Sequence, residues 1–317
     1  MPMNNIFFSL HSKLSMRSKN SNFFSVFFQP FSGLKNFVFG GTGPEALTNK
    51  GTMTPFVLVT NCLLIFYLFF LLLLPLVVLF VLIIQNDWTE VWKKATDPIA
   101  VSAYVLTVQL AFYAALVNTL FGFILTWILT RYNFVGKKYL DAAVDLPFAL
   151  PTSVAGLTLA TVYGDQGWIG SLFTPFGLQI VFTKVGVLLA MIFVSFPFVI
   201  RTLQPVLQEL EHSLEEAAWS LGASPWQTFV KVLLPPLWPA LFTGFTLSFS
   251  RALGEFGSIV MISSNLPFKD LVASVLIYQS LEQYDYLGAS VIGAVVLLLA
   301  LCTLVFINTV QSLNSRV

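Results

Sequence analysis

The sequence predicts an all-α polytopic membrane protein, and three observations support this prediction. Hydrophobic residues make up 56% of the 317 residues, and the mean hydropathy is +0.82. Charged residues make up only 10%, against about 25% in an ordinary soluble domain. Six apolar stretches have the length of about 20 residues that a helix needs to cross a bilayer. Because the backbone in lipid must satisfy its own hydrogen bonds, each stretch should be helical.

We predict six transmembrane helices from these stretches. The third is the least apolar and contains Pro147 and Pro151, which lack amide donors and should kink or interrupt it. The fifth contains Arg251 and Glu255, which are costly within a membrane. The predicted spans are Phe56–Ile84, Ala103–Thr130, Leu140–Tyr163, Val185–Leu203, Leu237–Ile262 and Leu287–Val310.

The distribution of basic residues predicts the orientation of these spans. An even number of spans places both termini on one side of the membrane. That side then carries eleven of the 16 Lys and Arg residues, and the other side carries four. The remaining residue, Arg251, lies within a span. Basic loops stay on the cytoplasmic side or its equivalent, so both termini are predicted there. Residues 1–55 are basic and rich in Ser, Asn and Phe, which leaves a targeting segment and a disordered tail equally open.

The residue types that carry catalysis or metal binding are sparse. The two cysteines, Cys62 and Cys302, lie in apolar runs, and the two histidines, His11 and His212, are far apart. The sequence has no P-loop motif, and its net charge of +1 gives no reason to expect nucleic acid as a partner. We therefore expect a protein that is not an enzyme and that holds no cofactor or metal.

Residues 205–236 predict a short polar helix on the side of the termini. Ser213 and Glu216 have the spacing of a capping box, and Gly222 can end the helix in a left-handed turn. Helices that lie on lipid are usually basic on their polar face, whereas this one is acidic. Two adjacent alanines give it a low-relief face. The residues leave open whether that face binds a partner protein or packs on the protein's own helices.

A second short helix should follow in the same segment. Ser224 and Gln227 repeat the capping-box spacing, with Pro225 at the first helical position. Pro235 should end this helix, because a proline within a helix removes a backbone hydrogen bond.

Four stretches resemble one family of transport proteins. The run "EAAWSLG", followed nine residues later by "VLLP", resembles the loop motif of ABC importer permeases, with Val232 where the family has Ile. Three longer stretches resemble the T-type permease subunit of sulfate and thiosulfate importers. They are Thr126–Ala160, Phe196–Glu211 and Leu247–Ile262. The resemblance covers about residues 56–313, which it identifies as one permease domain with the type I ABC importer fold.

The resemblance implies a role for the polar loop, here called the coupling loop (residues 205–236). In the family this loop holds a helix that docks on an ATPase subunit. Carried over position by position, the docking element would consist of Glu216, Ala217, Ala218, Gly222 and Pro235.

The resemblance also implies a transport function and a set of partners. The chain would be one membrane subunit of an ATP-driven importer of sulfate, with thiosulfate as an additional candidate and molybdate or tungstate as the alternative. A stand-alone secondary transporter is the alternative from another class. The implied partners are an ATPase dimer, a second W-type permease and an extracytoplasmic sulfate-binding protein. The implied location is a plastid inner envelope membrane, or alternatively a bacterial plasma membrane.

Polar residues within the spans are candidates for an anion pathway or gate. Arg251 and Glu255 lie four residues apart and can pair, either as a gate or as a contact that only fixes helix packing. A helix broken after Pro151 would offer amides and the hydroxyls of Thr152 and Ser153 to an anion. A purely structural kink remains the alternative for that segment.

Two further carboxylates, Asp141 and Asp145, lie near the predicted start of the third span. A carboxylate is a poor ligand for an anion. We expect these residues to offset the positive end of the helix and to pair with Arg131, Lys137 or Lys138.

Overall fold

The computed structural model describes residues 55–314, and this range is helical, without strands. A π-helical segment, Phe69–Leu73, joins α1 to α2, a second one, Phe229–Leu233, joins α11 to α12, and a 3-10 turn, Thr174–Phe176, follows α8. The helices are α1 (Pro55–Leu68), α2 (Leu74–Ile84), α3 (Trp88–Ala95), α4 (Pro98–Arg131), α5 (Lys137–Val144), α6 (Leu146–Ala149), α7 (Thr152–Tyr163), α8 (Gly170–Phe173), α9 (Lys184–Glu209), α10 (His212–Ser220), α11 (Pro225–Thr228), α12 (Leu234–Leu253), α13 (Gly257–Ile262), α14 (Ala273–Glu282) and α15 (Tyr286–Asn314). The predicted N-terminal extension lies outside the described residues except for Pro55.

Four helical stretches in this range are long and apolar enough to cross a membrane, and the interrupted stretch from Val59 to Ile84 raises the number to five. The four are α4, α9, the continuous stretch Pro225–Leu253, and α15 as far as Val305. The predicted count of six therefore stays a prediction, as does the side on which the termini lie.

The third predicted span, Leu140–Tyr163, is interrupted as its prolines suggested. It consists of α5, α6 and α7, of which only α7 is a longer apolar helix, with 12 residues. Leu150 has an extended backbone (φ −88°, ψ 134°), the conformation favoured before a proline. Pro151 then stands at the N-cap of α7.

The fifth predicted span, Leu237–Ile262, is wrong as one continuous helix. Its long helix ends at Leu253, and a separate short helix, α13, begins at Gly257. Between them Phe256 leaves helical geometry (φ −129°, ψ −54°). The high hydropathy of the stretch as a whole concealed this break, because hydropathy indicates that a segment lies in a membrane and does not show whether its helix is continuous.

The chain divides into two compact units, and the boundary in the sequence lies between Val78 and Leu79. The first contains α1 and the start of α2, among the residues described. In the second, α4, α9, α12 and α13 share the largest apolar core. Its central side chains include Ala111, Met191, Phe249 and Ile259, all at most 1% exposed.

Small and polar residues hold these helices together. A Cβ at Gly244 would lie 3.1 Å from Cα of Val199, so glycine lets α12 approach α9 closely. Asn118 of α4 donates from Nδ2 to the hydroxyls of Ser195 (2.8 Å) and Ser248 (3.2 Å). The fully buried Asn118 therefore cross-links α4, α9 and α12.

Candidate functional site

The first helix of the coupling loop, α10, begins two residues earlier than the sequence suggested, at His212 instead of Leu214. Glu211 occupies the N-cap position with extended backbone (φ −67°, ψ 140°), and its side chain does not cap the helix. Ser213 lies inside the first turn and donates to Oε2 of Glu211 at 2.8 Å. The predicted capping box of Ser213 and Glu216 is therefore wrong, because an N-cap residue must precede the first helical residue.

The end of α10 has the predicted left-handed turn at Gly222, where φ is +83°. The amide of Gly222 donates to Trp219 O (2.9 Å), and the amide of Ala223 donates to Ala218 O (3.0 Å). These two bonds are those of a Schellman motif, which satisfies the last carbonyls of a helix. The predicted role of Gly222 as the turn residue is confirmed.

The start of α11 also matches its prediction. Ser224 Oγ accepts the amide of Gln227 at 3.3 Å, and Gln227 Oε1 accepts the amide of Ser224 at 3.0 Å, so both bonds of a capping box are present. Pro225 is the first helical residue. Hydrogen bonds between residues that are close in the sequence therefore fix the turn between α10 and α11.

The prediction that Pro235 ends this second helix is wrong. The chain stays helical from Pro225 to Leu253, through the π-helical segment Phe229–Leu233 and into α12. Pro235 lies in the first turn of α12. A wider π turn changes the hydrogen-bond register, so a proline that follows it need not break the helix.

The proposed docking residues do not all lie on one surface. Glu216, Ala217, Gly222 and Pro235 are exposed, whereas Ala218 is 8% exposed and lies on the inner side of α10. The exposed residues are available to a partner. Ala218 is instead placed to pack α10 against the rest of the same protein.

Sequence reasoning missed the large apolar side chains on the same loop. Trp226 and Leu221 are 72% and 78% exposed, and Leu214 and Trp219 are also exposed. The polar residues around these four side chains in the sequence made the segment as a whole look polar. They give the loop an apolar outer surface beside Glu216.

The inner side of α10 is held by Arg131, the last residue of α4. Arg131 Nη1 lies 2.8 Å from Glu215 Oε1 and 3.0 Å from His212 Nδ1. The expectation that Arg131 pairs with Asp141 or Asp145 is wrong. Arg131 lies at the end of α4, where the coupling loop covers it.

Asp141 and Asp145 instead bind Arg201 of α9. Arg201 donates from Nε and Nη2 to the two carboxylate oxygens of Asp145 (2.8 and 2.7 Å) and from Nη1 to Asp141 Oδ1 (2.9 Å). Lys137 donates to Asn133 Oδ1 rather than to either aspartate. The planar guanidinium fits a carboxylate with two parallel bonds, so this clamp fastens α5 to α9.

Arg251 and Glu255 form the predicted ion pair at 2.6 Å. Glu255 is 2% exposed, and its other oxygen, Oε1, accepts the amide (2.9 Å) and the hydroxyl (2.8 Å) of Ser258. Glu255 therefore binds Arg251 of α12 with one oxygen and the first turn of α13 with the other. This carboxylate fixes the break between the two helices.

The two predicted parts of the pathway are neighbours in the fold. A Cβ at Gly257 would lie 2.2 Å from Oγ1 of Thr152 and 3.2 Å from the amide of Ser153. A Cβ at Gly156 would lie 2.3 Å from O of Ser258. The start of α7 therefore touches the start of α13. Pro151, Thr152 and Ser153 lie beside the break that Arg251 and Glu255 hold.

Residues 55–314 contain no group of three or more His, Cys, Asp or Glu side chains placed to hold a metal ion. Cys62 and Cys302 are both free and exposed.

Comparison with known proteins connects this geometry to a family. The family model described as "Binding-protein-dependent transport system inner membrane component" matches residues 118–314, a range that includes the coupling loop and both broken helices.

Relatives match over most of the chain. A Chlorella vulgaris protein named "Probable sulfate transport system permease protein cysT" is 84% identical over 236 residues, which are 74% of this chain and 89% of that protein. A Synechococcus elongatus protein named "Sulfate transport system permease protein CysT" is 56% identical over 250 residues, which are 79% of this chain and 90% of that protein.

A solved structure shows the same fold. A chain of a bacterial ABC transporter involved in the import of alginate has a TM-score of 0.67 and is 18% identical, with 80% of this chain and 95% of that chain covered. At this identity the likeness shows the fold alone. The family match and the relatives show that the chain belongs to the family of binding-protein-dependent transport-system inner-membrane components, which are multi-pass membrane proteins that act in transport rather than as enzymes.

Proposed function

We propose that this chain is a membrane-spanning permease subunit of an ATP-driven sulfate importer, with thiosulfate as an additional substrate. The observation that carries the proposal is the coupling loop, in which α10 and the turn after it expose Glu216, Ala217 and Gly222 on the protein surface. The names of the relatives at 84% and 56% identity support sulfate as the substrate.

The double negative charge of the substrate is a physical reason for the importer to need ATP. Moving a dianion against an inside-negative potential costs about 2 × 2.3 kcal/mol per 100 mV. Because the sequence has no P-loop, a separate ATPase dimer would supply this energy. The complete importer would also contain a second W-type permease and an extracytoplasmic sulfate-binding protein.

In this proposal the coupling loop and the anion pathway act at different steps of the transport cycle. ATP binding closes the ATPase dimer and moves the coupling loop through its exposed residues. The spans then alternate between outward and inward access. The anion passes beside the meeting point of α7 and α13, where Pro151, Thr152 and Ser153 supply backbone and hydroxyl groups. Arg251 and Glu255 form the gate there.

We propose a plastid inner envelope membrane as the location. Sequences at 84% and 68% identity come from the algae Chlorella vulgaris and Prototheca wickerhamii, and the basic, Ser-rich extension also supports this location. A bacterial plasma membrane is the alternative, supported by the Synechococcus relative. Mapping the gene to a plastid, nuclear or bacterial genome distinguishes these locations.

The test is labelled sulfate uptake by the reconstituted complex, with Gly222→Trp and Glu216→Lys as the variants. Both should lose ATPase association and uptake, because they alter the exposed docking surface. Glu90→Lys is the matched control, since Glu90 is an exposed acid on α3, away from the loop. If both variants retain association and uptake at normal protein levels, the docking assignment is wrong.

A second arm of the same experiment tests the substrate. Unlabelled thiosulfate and molybdate compete with labelled sulfate for uptake. Sulfate should compete best, and thiosulfate should compete measurably. Preferential inhibition by molybdate would assign the complex to molybdate or tungstate. Uptake by this chain alone, without ATP, would indicate a secondary transporter.

A further inference from the structure

Arg131 is a buried cation beneath the coupling loop. Its side chain is 7% exposed, and Glu215, with which it pairs, is 16% exposed. Within residues 55–314, its Nε and Nη2 atoms are buried without a hydrogen-bond partner. Arg131 therefore depends on Glu215 for its ion pair, and loss of Glu215 would leave a buried charge uncompensated.

Glu215 and Glu216 are neighbours in sequence with different surroundings. Glu216 is exposed on the outer side of α10, whereas Glu215 lies on the inner side against Arg131. His212, one turn earlier, also contacts Arg131 Nη1, from a side chain that is 74% exposed. The polar inner side of α10 is thus fastened to the end of α4.

Aromatic side chains connect the π-helical segment after the second helix of the loop to the same turn of α4. The guanidinium of Arg131 lies 5.5 Å from the ring centroid of Trp127. Trp127 packs edge-on against Phe229 at 5.7 Å, and Phe229 stacks on the exposed Trp226 at 5.8 Å. Both α10 and the π-helical segment that follows α11 therefore contact one end of α4.

The rest of α4 leads to the broken helices. With 34 residues and about 1.5 Å of rise per residue, α4 is about 50 Å long. Ala111 of α4 lies in the same buried core as Ile259 of α13. Asn118 ties the middle of α4 to α9 and α12. A displacement at Arg131 would thus reach the helices around Glu255 through packed side chains.

We propose that Arg131 is a positioning residue that transmits movement of the coupling loop to α4 through its ion pair with Glu215. The proposal rests on the proposed function and deepens it, because it assigns different roles to two adjacent glutamates. Glu216 meets the ATPase, and Glu215 carries the resulting movement into the membrane helices.

The first test compares ATP hydrolysis with sulfate uptake in the reconstituted complex. Glu215→Gln and Arg131→Gln should keep ATPase association and hydrolysis, while the ATP consumed per sulfate taken up rises about tenfold, a common size for coupling between sites. Arg131→Lys should be intermediate, because lysine keeps the charge and loses the planar fork. The double exchange Arg131→Glu with Glu215→Arg should restore part of the coupling.

The matched controls are Glu211→Gln and Lys138→Gln, which remove exposed charges from the same side of the protein. They should leave the ratio unchanged. The proposal is wrong if the Glu215 and Arg131 variants also keep the wild-type ratio. It is also wrong if uptake and ATPase association fall together in proportion, which would show a docking or structural role alone.

A second readout does not depend on the substrate. Spin labels at Ser220 and Tyr132 report the distance between α10 and the end of α4, in a background with Cys62→Ser and Cys302→Ser. The distance distribution should broaden in Glu215→Gln and stay narrow in Glu211→Gln. Equal distributions would refute the link, whereas absent sulfate uptake by the wild-type complex would refute only the proposed function.

Discussion

At the residue scale, two positions in the candidate sites are explained by different physical causes. Gly222 is set by backbone geometry: its φ of +83° disfavours other residues, and nothing lies within 4 Å of a Cβ built there. Glu255 is set by burial and charge, because both its oxygens are engaged. Glycine is therefore needed for its conformation, and glutamate for its two partners.

Gly222→Ala should weaken binding of the ATPase without a steric clash. The left-handed conformation costs an L-residue about 1 kcal/mol, so association should fall about fivefold. Gly222→Asn should lose less, because asparagine tolerates this conformation. Binding of purified permease to the ATPase measures the effect. Ser220→Ala is the control, since its hydroxyl bonds only its own helix, and equal binding by Gly222→Ala would contradict the prediction.

At the element scale, short helices are stabilised by single charged residues on longer helices. Arg201 of α9 fastens α5 through Asp141 and Asp145, and Arg131 of α4 fastens α10 through Glu215. Helices of eight or nine residues are too short to be stable alone. Their positions therefore depend on these tertiary contacts.

Asp145→Asn should destabilise the protein through the loss of the two-bond pair with Arg201. The partners are 49% and 31% exposed, so solvent screening limits the loss in unfolding free energy to about 1 kcal/mol. Thermal unfolding in detergent measures it. Asp165→Asn, at an exposed site, should leave the midpoint unchanged. Equal midpoints for the two variants would show that the clamp contributes no net stability.

A second ion pair, between Lys94 of α3 and Asp285 before α15, should make stability depend on pH. Burial acts to raise the pKa of Asp285, but hydrogen bonds from Lys94 and the Gly288 amide hold that pKa below its ordinary value of 3.8. A lowered folded-state pKa stabilises the protein above the ordinary value, and this contribution is lost as pH falls through the lowered pKa.

Asp285→Asn should therefore unfold at a lower temperature than the wild type at pH 7. The difference should shrink once the pH falls below about 3.8. Thermal unfolding of both proteins across this range measures the effect. A difference that is independent of pH would show that the carboxylate charge is not the cause.

At the scale of the whole molecule, α9 separates two groups of loops. Its start at Lys184 lies in a cavity of about 530 Å³ that Phe268 also lines, and its end at Glu209 leads into the coupling loop. With 26 residues and about 1.5 Å of rise per residue, α9 exceeds the hydrocarbon core of about 30 Å. Lys269 and Ser220 should therefore lie on opposite sides of the membrane.

This topology is testable with an impermeant maleimide. Single cysteines at Ser220→Cys and Lys269→Cys, in the background without Cys62 and Cys302, should be labelled from opposite sides. Ser220→Cys should react from the side of the ATPase, as the distribution of basic residues predicts. Labelling of both positions from one side would contradict the spanning role of α9.

The sequence by itself determined the features that depend on composition and on near neighbours. Apolar composition determined the helical membrane class, and the spacing of Ser224 and Gln227 and the position of Gly222 determined one helix start and one helix end. These features follow locally, because their hydrogen bonds join residues at most five positions apart.

Only the tertiary structure decided which charges pair and where broken helices meet. Arg201 pairs with Asp145, which is 56 residues away in the sequence. Arg131 pairs with Glu215 and not with Asp141 or Asp145, which are nearer to it in the sequence. Sequence offers several partners of suitable charge for each arginine, and packing selects one. The contact between Thr152 and Gly257 likewise depends on how α7 and α13 approach, a choice made by shape and close packing.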